Sequence, residues 1–190
     1  PMILVNGSIG IGTGYSTTIP SFNPFEIIDN LEYLIKNATN FNEFPHKELI
    51  PYYYGFNGTI TPMEKSKYHF ITKGKFEYIK NSSSIRITAL PIGCWTTSLT
   101  DPKNGYYSAL EDIGKDKKIK EKDKDDKKKL KIKVPSYLNE PFISSYINLA
   151  GTNNINIEVD FIKSKFIDYC RDEEKIYEDL HLVNTIHTLN

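Results

Sequence analysis

Four glycines at close spacing, Gly7-Ser-Ile-Gly-Ile-Gly-Thr-Gly14, follow the short apolar run Met2 to Val5 and give this sequence its sharpest candidate for chemistry. A glycine-rich turn after a strand can hold phosphate on its backbone N–H groups. Neither familiar version fits. A Walker A loop needs a Lys to reach the terminal phosphates, and none is present. A dinucleotide fingerprint needs its glycines to open a helix whose first amides hold the pyrophosphate. Here Thr17-Thr18-Ile19-Pro20 follows and prevents a helix from starting. Two readings stay open for the loop. Ile9 and Ile11 face a core, or they stand out from a backbone that another molecule can approach closely, as an apolar wedge between base steps does.

A second group is basic. Lys65, Lys67, Lys73, Lys75, Lys80 and Arg86 cluster with only Glu64 and Glu77 opposing them. They form either a solvated strand face or a series of phosphate contacts, and Lys73 and Lys75 would point the same way from one strand. The remaining polar residues suggest little chemistry. His46, His69, His181 and His187 have no metal-ligand spacing and read as surface or satisfied histidines. Asp123-Lys-Asp125 and Glu158-Val-Asp160 read as solvated faces. Cys94 and Cys170 lie too far apart for a zinc motif or a disulfide framework, which points to a reducing compartment. No metal site is expected.

The elements that must position these residues come from an ordinary globular composition. The 190 residues are 39% apolar and 13% aromatic, enough for a real core in one large domain or one and a half small ones. No apolar run is long enough to cross a membrane as a helix. The first residues lack the basic region of a signal peptide, and the absence of Met at position 1 suggests a piece of a longer protein. The zero net charge hides a division: residues 115–133 carry eleven Lys against five acids, so the rest is net acidic. That run is low in complexity and reads as a flexible insertion. Any contact of the acidic body with a polyanion must be local.

Hydrophobic periodicity supplies the rest. Met2 to Val5 reads as a short strand or buried turn. Asn23 followed by Pro24, with Glu26 three residues after the cap, starts a helix to Asn37 with a core stripe of Ile27, Leu31 and Leu34. Residues 68–80 and 83–91 read as an antiparallel hairpin. Ile155 to Phe161 alternates as a strand, Lys163 to Cys170 and Glu173 to Asp179 read as helices, and Leu182 to Thr188 as a last strand. Tyr52, Tyr53, Tyr54 and Trp95 read as packing residues. The fold class is α+β, a mixed and mainly antiparallel sheet with packed helices.

Three ordered blocks then match a family. Pro1 to Ser16 resembles the segment that follows the active-site tyrosine in eukaryotic-type DNA topoisomerase II: Pro-Met-Ile-Leu-Val-Asn-Gly, two variable residues, then Gly-Ile-Gly-Thr-Gly, with Tyr15 where Trp is usual. Bacterial gyrase A relatives carry Gly-Ile-Ala-Val-Gly there, so Thr13-Gly14 resembles the eukaryotic branch. Tyr54-Gly-Phe-Asn-Gly-Thr-Ile60 and Ile87-Thr-Ala-Leu-Pro-Ile-Gly-Cys-Trp95-Thr are similar to two further family blocks, with Ala89 replacing an acid.

The resemblance implies that residues 1–22 end a winged-helix region with a DNA-facing loop. Residues 23–114 and 134–190 would form the tower domain, interrupted by the 115–133 insertion. Ile11 would be the wedge that intercalates, flanked by Gly10, Gly12 and Thr13. On a tower beside bent DNA, Lys65, Lys67, Lys73, Lys75 and Arg86 become candidate phosphate contacts. The parent enzymes are nuclear homodimers, dimerised through regions absent here, that use ATP and Mg²⁺ to cut, pass and reseal double-stranded DNA. The family's nucleophilic tyrosine directly follows an arginine; Arg86-Ile87 and Arg171-Asp172 do not match, so none of the 13 tyrosines is a catalytic candidate. The chain alone is expected to be non-catalytic. The competing reading is a self-contained nucleotide- or partner-binding α+β module using the glycine loop.

Overall fold

The computed structural model describes residues 1–37, 47–64, 66–113 and 134–188. The Lys/Asp run, Lys65 and His46 lie outside them. The chain divides into two units, Pro1–Thr72 with Thr185–Asn190, and Lys73–Asn184.

The first unit opens with α1 (Met2–Asn6), whose apolar residues are all at least partly exposed. This corrects the expected strand or buried turn: a four-residue apolar run has too little periodicity to separate helix from strand. Gly7 then turns the chain into a two-stranded hairpin, β1 (Ser8–Ile11) against β2 (Ser16–Ile19). The helix α2 spans Pro24–Asn37, as its cap signals predict, and the Asn23 side-chain oxygen accepts the Phe25 N–H at 3.0 Å. Of its expected core stripe Ile27 is buried, whereas Leu31 is 42% exposed. The strand β3 (Thr59–Met63) pairs with β4 (Ser66–Lys73), and β4 with the last strand of the chain, Val183–His187. His69 sits here with its Nδ1 2.6 Å from Ser66 Oγ and its ring edge-on to His187.

The second unit is built on a four-stranded antiparallel sheet. Its strands are β5 (Lys75–Tyr78), β6 (Ser84–Ala89), β7 (Ile143–Asn148) and β8 (Ile157–Phe161), in the order β5-β6-β8-β7. The last strand of the chain is therefore β9. The expected hairpin is half right. Residues 83–91 do pair with 75–78, but 66–73 belongs to the other sheet. The break falls at Gly74, whose N–H donates to the Leu182 carbonyl at 2.8 Å. A Cβ on Gly74 would collide with the Ala89 carbonyl oxygen, so the chain changes sheets where only glycine fits.

Alternation on the central strands builds the core. Ile85, Ile87, Ile157 and Val159 are fully buried on one face, with Tyr107 and Leu110 of α4 (Tyr106–Glu111) against them. Two helices, α5 (Lys163–Arg171) and α6 (Glu173–Asp179), follow β8 and match their expected spans within a residue. At their end a buried carboxylate is fully engaged. Asp179 is 1% exposed and accepts from Tyr169 OH at 2.6 Å and Tyr137 OH at 3.0 Å, while its backbone carbonyl accepts from Tyr106 OH. His181 stacks on the Tyr106 ring, and burial lowers its pKa.

Two packing expectations are overturned. Trp95, at the start of α3 (Thr96–Thr100), is 74% exposed, because the Pro91 to Cys94 turn carries it outward. Tyr54 is 95% exposed at the tip of a turn in which the Phe56 N–H donates to the Tyr53 carbonyl. Position i+2 of that turn is Gly55, with φ at +77°.

Candidate nucleic-acid interface

The glycine loop is a hairpin, not the start of a helix. Ser8 pairs with Ile19, Ile9 with Thr18, Gly10 with Thr17 and Ile11 with Ser16. Gly12 and Tyr15 close the tip through a 2.9 Å hydrogen bond from the Gly12 N–H to the Tyr15 carbonyl. No helix follows whose N-terminal amides could hold a pyrophosphate: the chain enters β2. The competing nucleotide reading loses its geometric basis here.

Exposure decides between the two readings of the isoleucines. Ile11 is 90% exposed and Ile9 76% exposed, so neither faces a core. Two residues apart on one strand, they project from the same face. Gly10 and Gly12 flank Ile11, and a Cβ on Gly10 would meet nothing within 4 Å. The hairpin's own packing does not require glycine at position 10. Its absent side chain instead keeps the hairpin slim on the face opposite Ile11. Gly7 is different: it has φ 69° and ψ 175°, and a Cβ there would sit 2.7 Å from the Ile19 carbonyl oxygen. One glycine shapes the hairpin and the other clears its surface. Tyr15, 84% exposed, is a further surface group of this tip that the sequence did not single out as a candidate. Its position beside Gly14 is the signal that could have found it.

The basic residues are arranged otherwise than expected. Lys73 ends β4 and Lys75 begins β5, so they do not alternate along one strand. Lys73, Lys75 and Arg86 each have a carboxylate partner in the second unit. Lys73 Nζ lies 2.6 Å from both Glu174 oxygens and over the Tyr177 ring. Lys75 Nζ is 3.9 Å from Glu77 Oε1. Arg86 and Glu158 are register partners on β6 and β8, joined at 2.8 Å. Glu158 and Asp160 are therefore not merely solvated, because Asp160 also accepts from Ser84 and Ser145 hydroxyls at 2.5 and 2.7 Å. Lys80 has an ordinary exposed loop position after β5, and Lys67 lies on β4.

Among the described residues no group of three or more His, Cys, Asp or Glu is placed to hold a metal ion. Both cysteines are free. The helices among the described residues include none long and apolar enough to cross a membrane.

Comparison with known proteins agrees with this geometry. A model of the A-subunit family of DNA gyrase/topoisomerase IV matches residues 1–186. The mitochondrial DNA topoisomerase 2 of Dictyostelium discoideum is 42% identical over 104 residues, 55% of this chain and 7% of the relative. DNA topoisomerase 2 of Saccharomyces cerevisiae is 41% identical over 101 residues, 53% of this chain and 6% of the relative. The chain thus spans under a tenth of the length of these relatives. A crystal structure of the Plasmodium falciparum topoisomerase II DNA-binding, cleavage and re-ligation domain covers 98% of this chain with a TM-score of 0.67 at 29% identity, the match taking 20% of that chain. With a family match over nearly every residue and an α+β body shared with the solved relative, this chain belongs to the DNA gyrase/topoisomerase IV A-subunit family of type II topoisomerases.

Proposed function

We propose that the chain is the DNA-binding and DNA-bending part of the breakage–reunion core of an ATP-dependent type II DNA topoisomerase. The observation that carries this reading is the exposed Ile11 at the tip of a glycine-flanked hairpin. An aliphatic side chain there can enter a base step from a backbone slim enough to approach the groove. Unstacking one step costs a few kcal/mol, which a bent duplex offsets by meeting more protein surface. Gly10, Gly12 and Thr13 line the approach. On this reading residues 1–22 end the winged-helix region, 23–114 and 134–190 form the tower, and 115–133 are an insertion.

Lys65, Lys67, Lys73, Lys75 and Arg86 extend the contact to phosphates. For Lys73, Lys75 and Arg86 this requires exchange of a carboxylate partner for a phosphate oxygen. The chemistry of strand cleavage, passage and religation through a tyrosyl–DNA intermediate belongs to the longer protein, as do ATP and Mg²⁺. Glu158 and Asp160 do not suit Mg²⁺, being committed to Arg86, Ser84 and Ser145, and no step is routed through a metal on this chain. The parent is proposed to act as a nuclear homodimer on double-stranded DNA in chromosome segregation.

The test is Ile11→Ala in the assembled breakage–reunion core, with DNA bending followed by donor–acceptor fluorescence across the bound duplex. Bending and cleavage should both fall while the circular dichroism spectrum is retained. Undiminished bending would remove Ile11 from the mechanism.

A further inference from the structure

A cavity of about 300 Å³ in the first unit has no role in the DNA reading and is independent of it. The residues that line it include Tyr52, Tyr53, Phe56 and Glu26. From these we infer a binding site for an alkylated ammonium group, of the kind carried by choline or by a trimethylated lysine.

The wall is assembled by local rules. Segment 51–53 is held against residues 21–22 by the Phe22–Pro51 bridge, the Tyr52 N–H to Ser21 carbonyl bond and the Ser21 hydroxyl on the Tyr52 carbonyl. The turn closed from Phe56 N–H to Tyr53 carbonyl then brings residues i and i+3 to one cavity. Tyr53 is partly buried there, and burial raises its pKa, so it presents a neutral ring at physiological pH.

Once Lys47 is displaced from Glu26, the charge of the site favours a cation. Aromatic faces are negative at their centres, and cages of two or three rings with a carboxylate select quaternary ammonium groups. The N-terminus of α2 adds roughly half a positive charge, less than the full negative charge of Glu26, a lining residue. The protein already places an ammonium beside Glu26. Asn30, one turn after Glu26, accepts the Lys47 N–H and donates to its carbonyl, both at 3.1 Å, and this fixes Lys47 with its Nζ 3.5 Å from Glu26 Oε1. The Lys47 side chain is 72% exposed, and so open a pair is weak and can be displaced. A trimethylated ammonium, more easily stripped of water than a primary one, would take the space lined by the three aromatic residues, among whose lining residues Lys47 is not found. The volume is at the small end for such sites, right for a compact head group on a slim chain.

The test titrates the full chain, with ¹³C-labelled tyrosine and phenylalanine, against choline and against its neutral isostere 3,3-dimethylbutanol. Choline should produce saturable shifts at Tyr52, Tyr53 and Phe56 and bind roughly tenfold more tightly than the alcohol. Glu26→Gln should weaken choline about fivefold and Lys47→Gln should strengthen it about threefold. Tyr53→Phe should bind as the parent does, whereas Tyr53→Leu should lose most of the affinity. If Tyr53→Leu fails to fold, the two surface charge variants decide the matter alone. A trimethyllysine peptide binding more tightly than choline would identify a protein tail as the source, and the reverse order a small metabolite. Equal affinity for the alcohol, indifference to both charge variants, or preferential binding of inorganic phosphate would overturn the assignment.

Discussion

At the scale of single residues, the two glycines of the hairpin separate folding from recognition. Gly7 has a backbone conformation open almost only to glycine and stands against the Ile19 carbonyl, so Gly7→Ala should cost on the order of 1–3 kcal/mol in thermal denaturation of the chain. Gly10→Ala meets no atom and should leave the melting temperature within a degree or two, yet weaken DNA binding by thickening the hairpin on the face opposite Ile11. Equal stability losses in both variants would show that the hairpin itself needs glycine at position 10. The tyrosines around Asp179 make a second residue-scale prediction. Burial, aided by the Asp179 hydrogen bond, raises the Tyr169 pKa above its ordinary 10.0, and burial also raises Tyr106 and Tyr107. A folded-state pKa above the unfolded one gives stability that is complete below pH 10 and is lost as pH climbs beyond it. Denaturant midpoints should therefore fall steeply above pH 10, and Tyr169→Phe should flatten that fall. A midpoint independent of pH between 9 and 12 would contradict the arrangement.

At the scale of elements, what could be read from sequence depended on how local the cause was. The helix α2 has its limits written in Asn23 and Pro24, and β8 declares itself through Ile155, Ile157, Val159 and Phe161, so both were legible. The boundary at Gly74 was not, because it depends on Ala89 and Leu182, residues far along the chain that crowd one backbone position. The short strands β3 and β7 and the helices α3 and α4 gave too few turns of pattern to be found. For the candidate site, the composition of the loop and the family blocks pointed to Ile11, but only the structure shows it exposed. The carboxylates facing the basic group were hidden for the same reason as Gly74: Glu158 meets Arg86 through strand register, and Glu174 meets Lys73 from 101 residues along the chain. These pairs carry their own prediction. If Arg86 exchanges Glu158 for phosphate, Glu158→Gln should raise DNA affinity several-fold and steepen the salt dependence by about one unit of slope. An unchanged slope would assign Arg86 to the sheet alone.

At the scale of the whole molecule, the two units differ in how much they bury. The second encloses a continuous core from Ile85 to Leu182, while Ile27 and Phe70 are the buried large apolar side chains among the described residues of the first. The first unit instead leaves Ile9, Ile11, Phe25 and Ile35 largely exposed. Amide exchange should follow this division, with protection highest on β6 and β8 and lowest on β1 and β2. Uniform protection across both units would contradict it. A hairpin weakly tied to its own unit suits a part whose apolar tip is completed by another molecule, and the DNA reading names that molecule as a base step.

The measurement that bears most directly on this claim is base stacking at the step itself. A duplex carrying 2-aminopurine at successive positions should show, when bound by the assembled core, a several-fold rise in fluorescence confined to one step in each half-site. Ile11→Ala should abolish the rise while leaving binding detectable through phosphate contacts. A signal that is absent in the parent protein, or that survives Ile11→Ala unchanged, would mean that the hairpin does not enter the stack.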